Sequence, residues 1–262
     1  MPELAEVEKY RRLAEEAALG REIVRVYAPD TWYLKGGLTA RAVRAALKGR
    51  SFTAARRIGK QLLLDTSDRG PVLGLHAGMA GRLLVDGRAA ITDLWYASNK
   101  ELKKWDRFAV FFADGGDLRM RDSRRLGGVT LDPPESKLGP DALTVTLPQL
   151  RAALGTSVVP LKARLMDQRR VAGVGNLAAD EALWRAGLDP RREAGSLDAN
   201  ELRRLHRHLR KTMDDLLTRG GSHTGDLMPE RAAAGVCPKD GRPLVRDTVG
   251  GRTTWWCPHH QL

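Results

Sequence analysis

The sequence predicts an α+β fold: an N-terminal β-sandwich that carries one helix, then a helical region and a short C-terminal β-hairpin. Three observations lead to this prediction. Short β-rich runs separated by turn signals fill residues 22–131. Residues 131–140 are rich in proline, glycine and charge, which is typical of a linker. After this stretch, apolar residues recur at helical spacing.

The elements follow from these patterns in chain order. A first helix should end at Gly20 and pack on the sandwich through Leu4, Val7, Tyr10, Leu13, Ala14 and Ala17. The predicted strands are Ile23–Tyr27, Gln61–Asp65, Val72–His76, Arg82–Val85, Phe108–Ala113 and Leu118–Met120. The predicted later helices are Leu147–Leu154, Val159–Met166, Leu177–Ala186 and Asp198–Thr218. We therefore expect a β-sandwich domain over residues 1–132, a linker over 133–140, a helical domain over 141–228 and a hairpin over 229–262.

The chain is strongly basic. Lysine and arginine number 44 against 32 aspartates and glutamates, which gives a net charge of +12. This excess indicates a polyanionic partner, although charge alone does not separate nucleic acid from an anionic membrane surface. No apolar run approaches the ~20 residues of a membrane span, and the acidic N-terminal segment does not resemble a signal peptide. We expect a cytoplasmic protein and, by default, a monomer.

The first residues hold the groups of a covalent catalyst. If Met1 is removed, Pro2 carries a free secondary amine, and Glu3 and Glu6 lie beside it on the first turns of a helix. An α-amino group titrates near ~8, so part of it is neutral and nucleophilic at neutral pH, and its attack on a sugar carbon gives an iminium ion. The alternative is structural, because proline and acidic residues are common at helix starts.

A second pattern is a glycine-rich turn before a helix, in residues 171–184. Backbone N–H groups of such a turn can bind a phosphate. An ordinary connection between two helices is the alternative.

Five motifs in one order resemble the Fpg/Nei family of DNA glycosylases, and the resemblance extends from Pro2 to the C-terminus. These motifs are Pro2-Glu3-Leu4, Gly59-Lys60, His76-Ala77-Gly78-Met79, Arg124-Arg125 and Gly173-Val174-Gly175-Asn176. The resemblance implies that the glycine-rich turn belongs to a helix–two-turn–helix domain that grips the DNA backbone. Damaged double-stranded DNA is then the expected partner.

The resemblance also implies the catalytic roles. Pro2 matches the family's nucleophile at sugar C1′, Glu3 its acid/base and Glu6 a second carboxylate. Lys60 and Arg252 match a lysine and a hairpin arginine on the phosphates of the lesion. The expected activity is removal of oxidised bases of the formamidopyrimidine or 8-oxoguanine type, followed by elimination at the abasic site.

The residues that the resemblance places on DNA are His76, Met79, Trp105, Arg124, Leu126, Lys162 and Asn176. An extruded base leaves a gap that side chains must fill, and Met79 and Arg124 match two of the family's wedges. Leu126 replaces the phenylalanine of the third wedge, and Trp105 replaces a histidine that contacts DNA in many members. For Met79, packing in the core is the alternative.

The C-terminal tail has metal-ligand spacing. Cys237 and Asp240 are followed, after sixteen residues, by Cys257 and His260, where family zinc fingers have four cysteines. Zinc accepts cysteine, histidine and carboxylate ligands, so a structural Zn²⁺ is expected. His259 could replace His260, and a finger without zinc, held by its hairpin and by Trp255 and Trp256, is the alternative.

Three other functions would account for parts of the sequence. One is a Nei-type glycosylase for oxidised pyrimidines. Another is a protein that binds abasic sites or distorted DNA without cutting it, which retention of Met1 would enforce. A ribosomal or helix–turn–helix regulatory protein would explain the charge but not Pro2, Glu3, Lys60 and the tail.

Overall fold

The computed structural model describes residues 2–91, 94, 98 and 100–262. The α+β class is confirmed, since two antiparallel sheets are followed by helices and a C-terminal two-stranded hairpin. Within the described part of the chain, no helix is long and apolar enough to cross a membrane. Contacts between Cα atoms group the chain into two compact units. The first contains Pro2 and residues 6–135, and the second contains residues 3–5 and 136–262.

The first unit is a sandwich of two antiparallel sheets. One has the strand order β1-β7-β8-β5-β6 and comprises Ile23–Tyr27, Asp106–Phe112, Asp117–Asp122, Gly81–Val85 and Arg88–Ala89. The other has the order β2-β3-β4-β9 and comprises Phe52–Ile58, Gln61–Thr66, Leu73–His76 and Gly128–Leu131. Phe52 of β2 and Phe112 of β7 meet edge to face, with ring centroids 6.4 Å apart. Both sheets therefore contribute to one apolar core.

Among the described residues of this unit, two helices accompany these sheets, α1 (Leu4–Ala17) and α2 (Ala40–Leu47). Val7 and Tyr10 of α1 are buried in the sandwich core, and the Tyr10 hydroxyl donates to the carbonyl of Gly81 over 2.9 Å. Leu4 and Ala5 belong instead to the core of the second unit. The predicted first helix thus has the expected residues, but its first turn contributes to a different core from the rest.

Some elements have no counterpart in the sequence prediction. Strand β2 contains Arg56 and Arg57, whose charges hide the apolar alternation of a strand. Arg56 lies between Asp65 and Glu135, with nitrogen–oxygen distances of 2.8 and 2.9 Å. These two ion pairs hold an arginine in the strand. Strand β9 and helix α2 were also not predicted.

The second unit is built around one buried helix. Its helices are α3 (Leu147–Leu154), α4 (Leu161–Met166), α5 (Asn176–Ala186) and α6 (Ala199–Arg219), and its hairpin consists of β10 (Val245–Val249) and β11 (Arg252–Trp256). Capping boxes start α3 at Thr146 and α6 at Asp198. All residues of α5 except Asn176 and Arg185 are buried. A helix that is buried all round lies at the centre of its domain.

Candidate active site

The Glu3 carboxylate lies at the N-terminus of α5. One of its oxygens accepts a hydrogen bond of 2.9 Å from Leu177 N–H, and the other accepts one of 3.1 Å from Ala178 N–H. Gly175 is the N-cap of this helix and has no side chain that could bind these amides. Glu3, which is only 2 % exposed, therefore supplies the missing cap from the far end of the chain. Such charge-assisted bonds at a helix N-terminus stabilise the ionised carboxylate.

Gly175 leaves the space that Glu3 occupies. A Cβ atom built on Gly175 would lie 2.0 Å from Glu3 Cδ and 2.3 Å from Glu3 Oε1. The φ of Gly175 is −107°, which every residue type except proline adopts. The requirement for glycine here is therefore close approach, not backbone conformation.

The strand that begins at Arg252 is fixed by polar side chains of α4 and α5. Lys162 Nζ donates to the Thr253 carbonyl over 3.0 Å and to Thr254 Oγ1 over 2.7 Å. Asn176 Nδ2 donates to the same carbonyl over 3.1 Å, and the Asp180 carboxylate accepts from Trp255 N–H over 3.2 Å. The three residues that follow Arg252 are thus each held from the helical core.

Lys162 is not at the surface in this structure. Its side chain is fully buried, and Nζ lies 2.7 Å from Asp180 Oδ1. Burial lowers the pKa of Lys162, while the charge of Asp180 opposes this shift. The predicted contact of Lys162 with a DNA phosphate would require this ion pair to open.

Arg252 itself is exposed at the tip of the β10–β11 hairpin. Gly250 and Gly251 form the turn, with φ values of +58° and +71°. Two successive positive φ values are typical of the type I′ turn, whose twist suits a two-residue hairpin loop. The turn presents the Arg252 guanidinium to solvent next to a rigidly held strand.

In the first unit, Lys60 and His76 are neighbours. Lys60 lies in the turn between β2 and β3, and the next residue, Gln61, pairs with His76 on β4. The His76 ring is exposed, and its Nδ1 accepts a hydrogen bond of 3.1 Å from Gly78 N–H. Partial desolvation of the ring by the residues around it, and to a smaller extent the charge of Lys60, lower the pKa of His76. The ring is therefore neutral near pH 7 and presents its Nε2–H as a donor.

The three predicted wedge residues lie on two loops that touch. A Cβ on Gly78 would lie 2.3 Å from the carbonyl carbon of Leu126, so the turn that carries Met79 packs directly on the loop that carries Leu126. Arg124 and Leu126 are exposed, and Met79 is half-buried. Met79 is therefore not among the buried residues of the sandwich core, which was the alternative for this methionine.

The remaining predicted residues of the first unit are Pro2, Glu6 and Trp105. Pro2 is buried, and Glu6 is 4 % exposed. The Glu6 charge helps raise the pKa of Tyr10, after the larger effect of burial. Trp105 is half-buried in a single 3₁₀ turn, Lys103–Trp105. Met1 lies outside the described residues.

Buried carboxylates were the main omission of the sequence analysis. Asp122, which is fully buried, accepts from the backbone N–H groups of Arg124, Arg125 and Gly127 over 2.9, 3.1 and 2.8 Å. It thereby fixes the loop that carries Arg124 and Leu126. Glu181 does the same in the second unit, because its oxygens accept from the N–H groups of Asp226 and Leu227. The available signals were an aspartate two residues before Arg124-Arg125 and an Asp-Glu pair inside an apolar helix.

The four predicted metal ligands converge. The ligand atoms of Cys237, Asp240, Cys257 and His260 all lie within 4.8 Å of one another. Both cysteines are buried free thiols, whereas His259 is exposed and outside this cluster. Burial and the nearby Asp240 raise the pKa of Cys257 to about 11. A hydrogen bond from Arg242 N–H lowers the pKa of Asp240 to about 2.

Models of known families match both parts of the chain. The formamidopyrimidine-DNA glycosylase N-terminal domain matches residues 1–129, and the formamidopyrimidine-DNA glycosylase H2TH domain matches residues 138–227. The fold and the two matches together therefore define the class of protein: a β-sandwich domain followed by a helix–two-turn–helix (H2TH) domain.

Individual proteins agree with this class. The formamidopyrimidine-DNA glycosylase of Paracoccus denitrificans is 35 % identical over 98 % of this chain and 99 % of the relative. The protein of that name from Arabidopsis thaliana is 31 % identical over 100 % of this chain and 71 % of the relative. Wild-type Fpg of Lactococcus lactis in complex with DNA containing N7-benzyl-Fapy-dG has a TM-score of 0.83 and 26 % identity, with 99 % of each chain covered. The chain belongs to the formamidopyrimidine-DNA glycosylase family.

Proposed function

We propose that this protein is a bifunctional DNA glycosylase and abasic-site lyase of base excision repair, which acts on oxidised bases in duplex DNA. The observation that carries the proposal is the buried Glu3 carboxylate, which is bound by two N–H groups of α5 and directly follows Pro2 in the chain. Removal of Met1 turns Pro2 into a secondary amine. A nucleophile then has a fixed proton acceptor as its nearest neighbour in sequence.

The chemistry follows from these two groups. The Pro2 nitrogen attacks C1′ of the damaged nucleotide, the bond from C1′ to the base breaks, and the departing base takes up a proton while the amine gives its own proton to Glu3. The C1′–O4′ bond then breaks with transfer of that proton to O4′, and the opened sugar is left joined to Pro2 as an iminium ion. Because both Glu3 oxygens accept hydrogen bonds in the resting protein, Glu3 begins as the base and returns the proton later as the acid. Removal of a 2′ proton then expels the 3′ phosphate, and a further elimination expels the 5′ phosphate. Hydrolysis of the iminium regenerates the amine, with Glu6 as a supporting carboxylate.

The phosphates of the lesion are the proposed ligands of four polar side chains. His76 and Arg252 are exposed, and Lys60 and Asn176 are half-buried. Lys60 and Arg252 offer a positive charge, and the neutral His76 ring and Asn176 offer an N–H donor. We assign Lys162 a different role from the one expected: it holds the strand that follows Arg252. Met79, Arg124 and Leu126 would occupy the gap that the extruded base leaves.

Binding to an uncut duplex should weaken steeply with salt. If Lys60 and Arg252 each neutralise a phosphate, the logarithm of the association constant should fall with the logarithm of salt at a slope of about −2. Fluorescence anisotropy with a duplex that holds a stable abasic analogue measures this slope. Lys60→Gln should reduce its magnitude by about 1. An affinity insensitive to salt would contradict these contacts.

For the lesion, we propose an oxidised purine of the formamidopyrimidine or 8-oxoguanine type. The names of the Paracoccus and Arabidopsis relatives support this choice. Oxidised pyrimidines are the second candidate, since Leu126 stacks on bases less well than an aromatic ring would. Single-turnover cleavage of a panel of duplexes, each with one damaged base, distinguishes the two.

We further propose Zn²⁺ at the cluster of Cys237, Asp240, Cys257 and His260. Ligands 2.0–2.3 Å from a tetrahedral zinc lie about 3.3–3.8 Å from each other. His260 Nδ1 lies 3.5 Å from Cys237 Sγ and 3.4 Å from Asp240 Oδ2, and Cys257 Sγ lies 3.2 Å from the same Asp240 oxygen. The residues present thus fit the ion, which would stabilise the hairpin when bound.

Borohydride trapping on a duplex with one abasic site tests the proposed function. Reduction of the iminium gives a permanent cross-link, which we expect to map to Pro2 in protein whose intact mass shows the loss of Met1. A variant with an N-terminal extension is the matched control, because its Pro2 nitrogen is an amide and should give no cross-link. Tight binding without a cross-link, in protein that lacks Met1, would instead establish a non-cleaving binder of damaged DNA.

A further inference from the structure

Trp184, in the last turn of α5, contacts two of the four converging ligand residues. Its indole Nε1–H donates to Cys237 Sγ over 3.2 Å, and its backbone carbonyl lies 3.0 Å from His260 Nε2. The indole is 4 % exposed and shares an apolar cluster with both cysteines. One residue of the helical core therefore reaches both the sulfur and the imidazole of the cluster.

The carbonyl contact defines which nitrogen of His260 faces the other ligands. A carbonyl only accepts hydrogen bonds, so Nε2 must carry the hydrogen. Because Nε2 carries this hydrogen, Nδ1 is the ring nitrogen that remains available to a metal ion, and it is the atom near Cys237 Sγ and Asp240 Oδ2. Metal-bound histidines ordinarily donate their second ring N–H in this way, which fixes both tautomer and ring orientation.

The indole contact acts on the sulfur. An N–H donor stabilises a thiolate more than a thiol, because the acceptor then carries the charge. Lys239 completes the arrangement: its Nζ lies 4.8 Å from the centroid of the Trp184 ring and donates to the Trp184 carbonyl over 2.9 Å. Trp184 is thus also contacted by Lys239, a residue of the turn between Cys237 and Asp240.

We propose that Trp184 is a positioning residue for the metal, which orients the Cys237 thiolate and the Nδ1 atom of His260 and joins the metal centre to α5. This inference rests on the proposed metal site. It assigns to a helix residue outside the cysteine-containing turns a share of the affinity for the ion. Loss of such outer hydrogen bonds typically weakens metal binding by about 10–100-fold.

Trp184→Phe tests the indole contact, because it removes the N–H donor and keeps an apolar ring. Titration of the full chain with Co²⁺ against a competing chelator, followed through the thiolate-to-cobalt absorption, should show an affinity lowered by about 10-fold or more. The variant Trp32→Phe is the matched control, since Trp32 is 66 % exposed and lies in the other unit. Its Co²⁺ affinity should equal that of the wild type.

The outcomes distinguish a failure of the positioning role of Trp184 from a failure of the proposed metal site. Unchanged affinity and an unchanged spectrum in Trp184→Phe would overturn the positioning role, whereas a wild type that binds neither Co²⁺ nor Zn²⁺ would overturn the metal site itself. If Trp184→Phe does not fold, an NMR measurement on the wild type loaded with ¹¹³Cd²⁺ tests the positioning role instead. Its Trp184 indole N–H signal should show scalar coupling to the metal through the sulfur, and absence of that coupling would also overturn the inference.

Discussion

Replacement of Gly175 by alanine is expected to lower base release and strand cleavage by about 100-fold or more. The new Cβ would lie 2.0 Å from Glu3 Cδ, so the carboxylate must leave the N–H groups of Leu177 and Ala178 or the start of α5 must move. Displacement of a catalytic group by about 1 Å is enough for a loss of this size. Single-turnover rates on a duplex with one damaged base measure the effect.

Two controls isolate the clash. Gly115→Ala introduces only backbone strain, since its φ is +92° and no heavy atom lies within 4 Å of its Cβ, and it should retain most of the activity. Glu3→Gln should lose activity by itself, and its combination with Gly175→Ala should lose little more, because both changes disrupt one contact. Wild-type rates in Gly175→Ala would contradict the role of the Glu3 cap.

Removal of the Asp180 carboxylate should strongly destabilise the folded protein. Asp180→Ala is expected to lower the free energy of unfolding by about 3–5 kcal/mol, the usual cost of leaving buried charges without a partner. The side chain of Asp180 is 1 % exposed and lies 2.7 Å from Lys162 Nζ. It also pairs with Arg231 and accepts from Trp255 N–H. Urea unfolding, monitored by the circular dichroism of the helices, measures the change.

An exposed carboxylate and a neutral pair serve as controls. Asp214→Ala, at an exposed position of α6, should change the free energy of unfolding by less than about 0.5 kcal/mol. The double variant Lys162→Met with Asp180→Leu should be more stable than Asp180→Ala, since it no longer leaves the buried Lys162 charge without a partner, while Arg231 loses its partner in both. If the single and double variants were equally unstable, the unpaired Lys162 charge would not be the cause.

The sequence predicted most elements because their signals are local. The range predicted for α3 is the observed one, and the strand predicted over residues 23–27 is β1. Strand β2 was not predicted because Arg56 is held in it by partners 9 and 79 residues away. No window of sequence contains such a pairing.

The candidate site also combines features that could be predicted from the sequence with features that could not. The resemblance to a family supplied the candidate residues, and the convergence of the four potential metal ligands confirms that their spacing permits a common site. The environment of Lys162 could not be predicted, because Asp180 and Thr254 come from other parts of the chain. A basic residue between apolar neighbours looks the same in sequence whether it faces solvent or a buried carboxylate. Only the tertiary fold separates the two cases.

Helix α5 fixes the mutual spacing of four attachments. Over its length of roughly 16 Å, it binds Glu3 at its first turn, the hairpin at Asp180, the segment of Asp226 and Leu227 at Glu181 and the ligand cluster at Trp184. Insertion of one residue would turn everything beyond it by about 100° and advance it by 1.5 Å. No single insertion could preserve all four attachments. Changes of chain length within this domain should therefore be confined to the connections around α5, while the helix keeps its eleven residues.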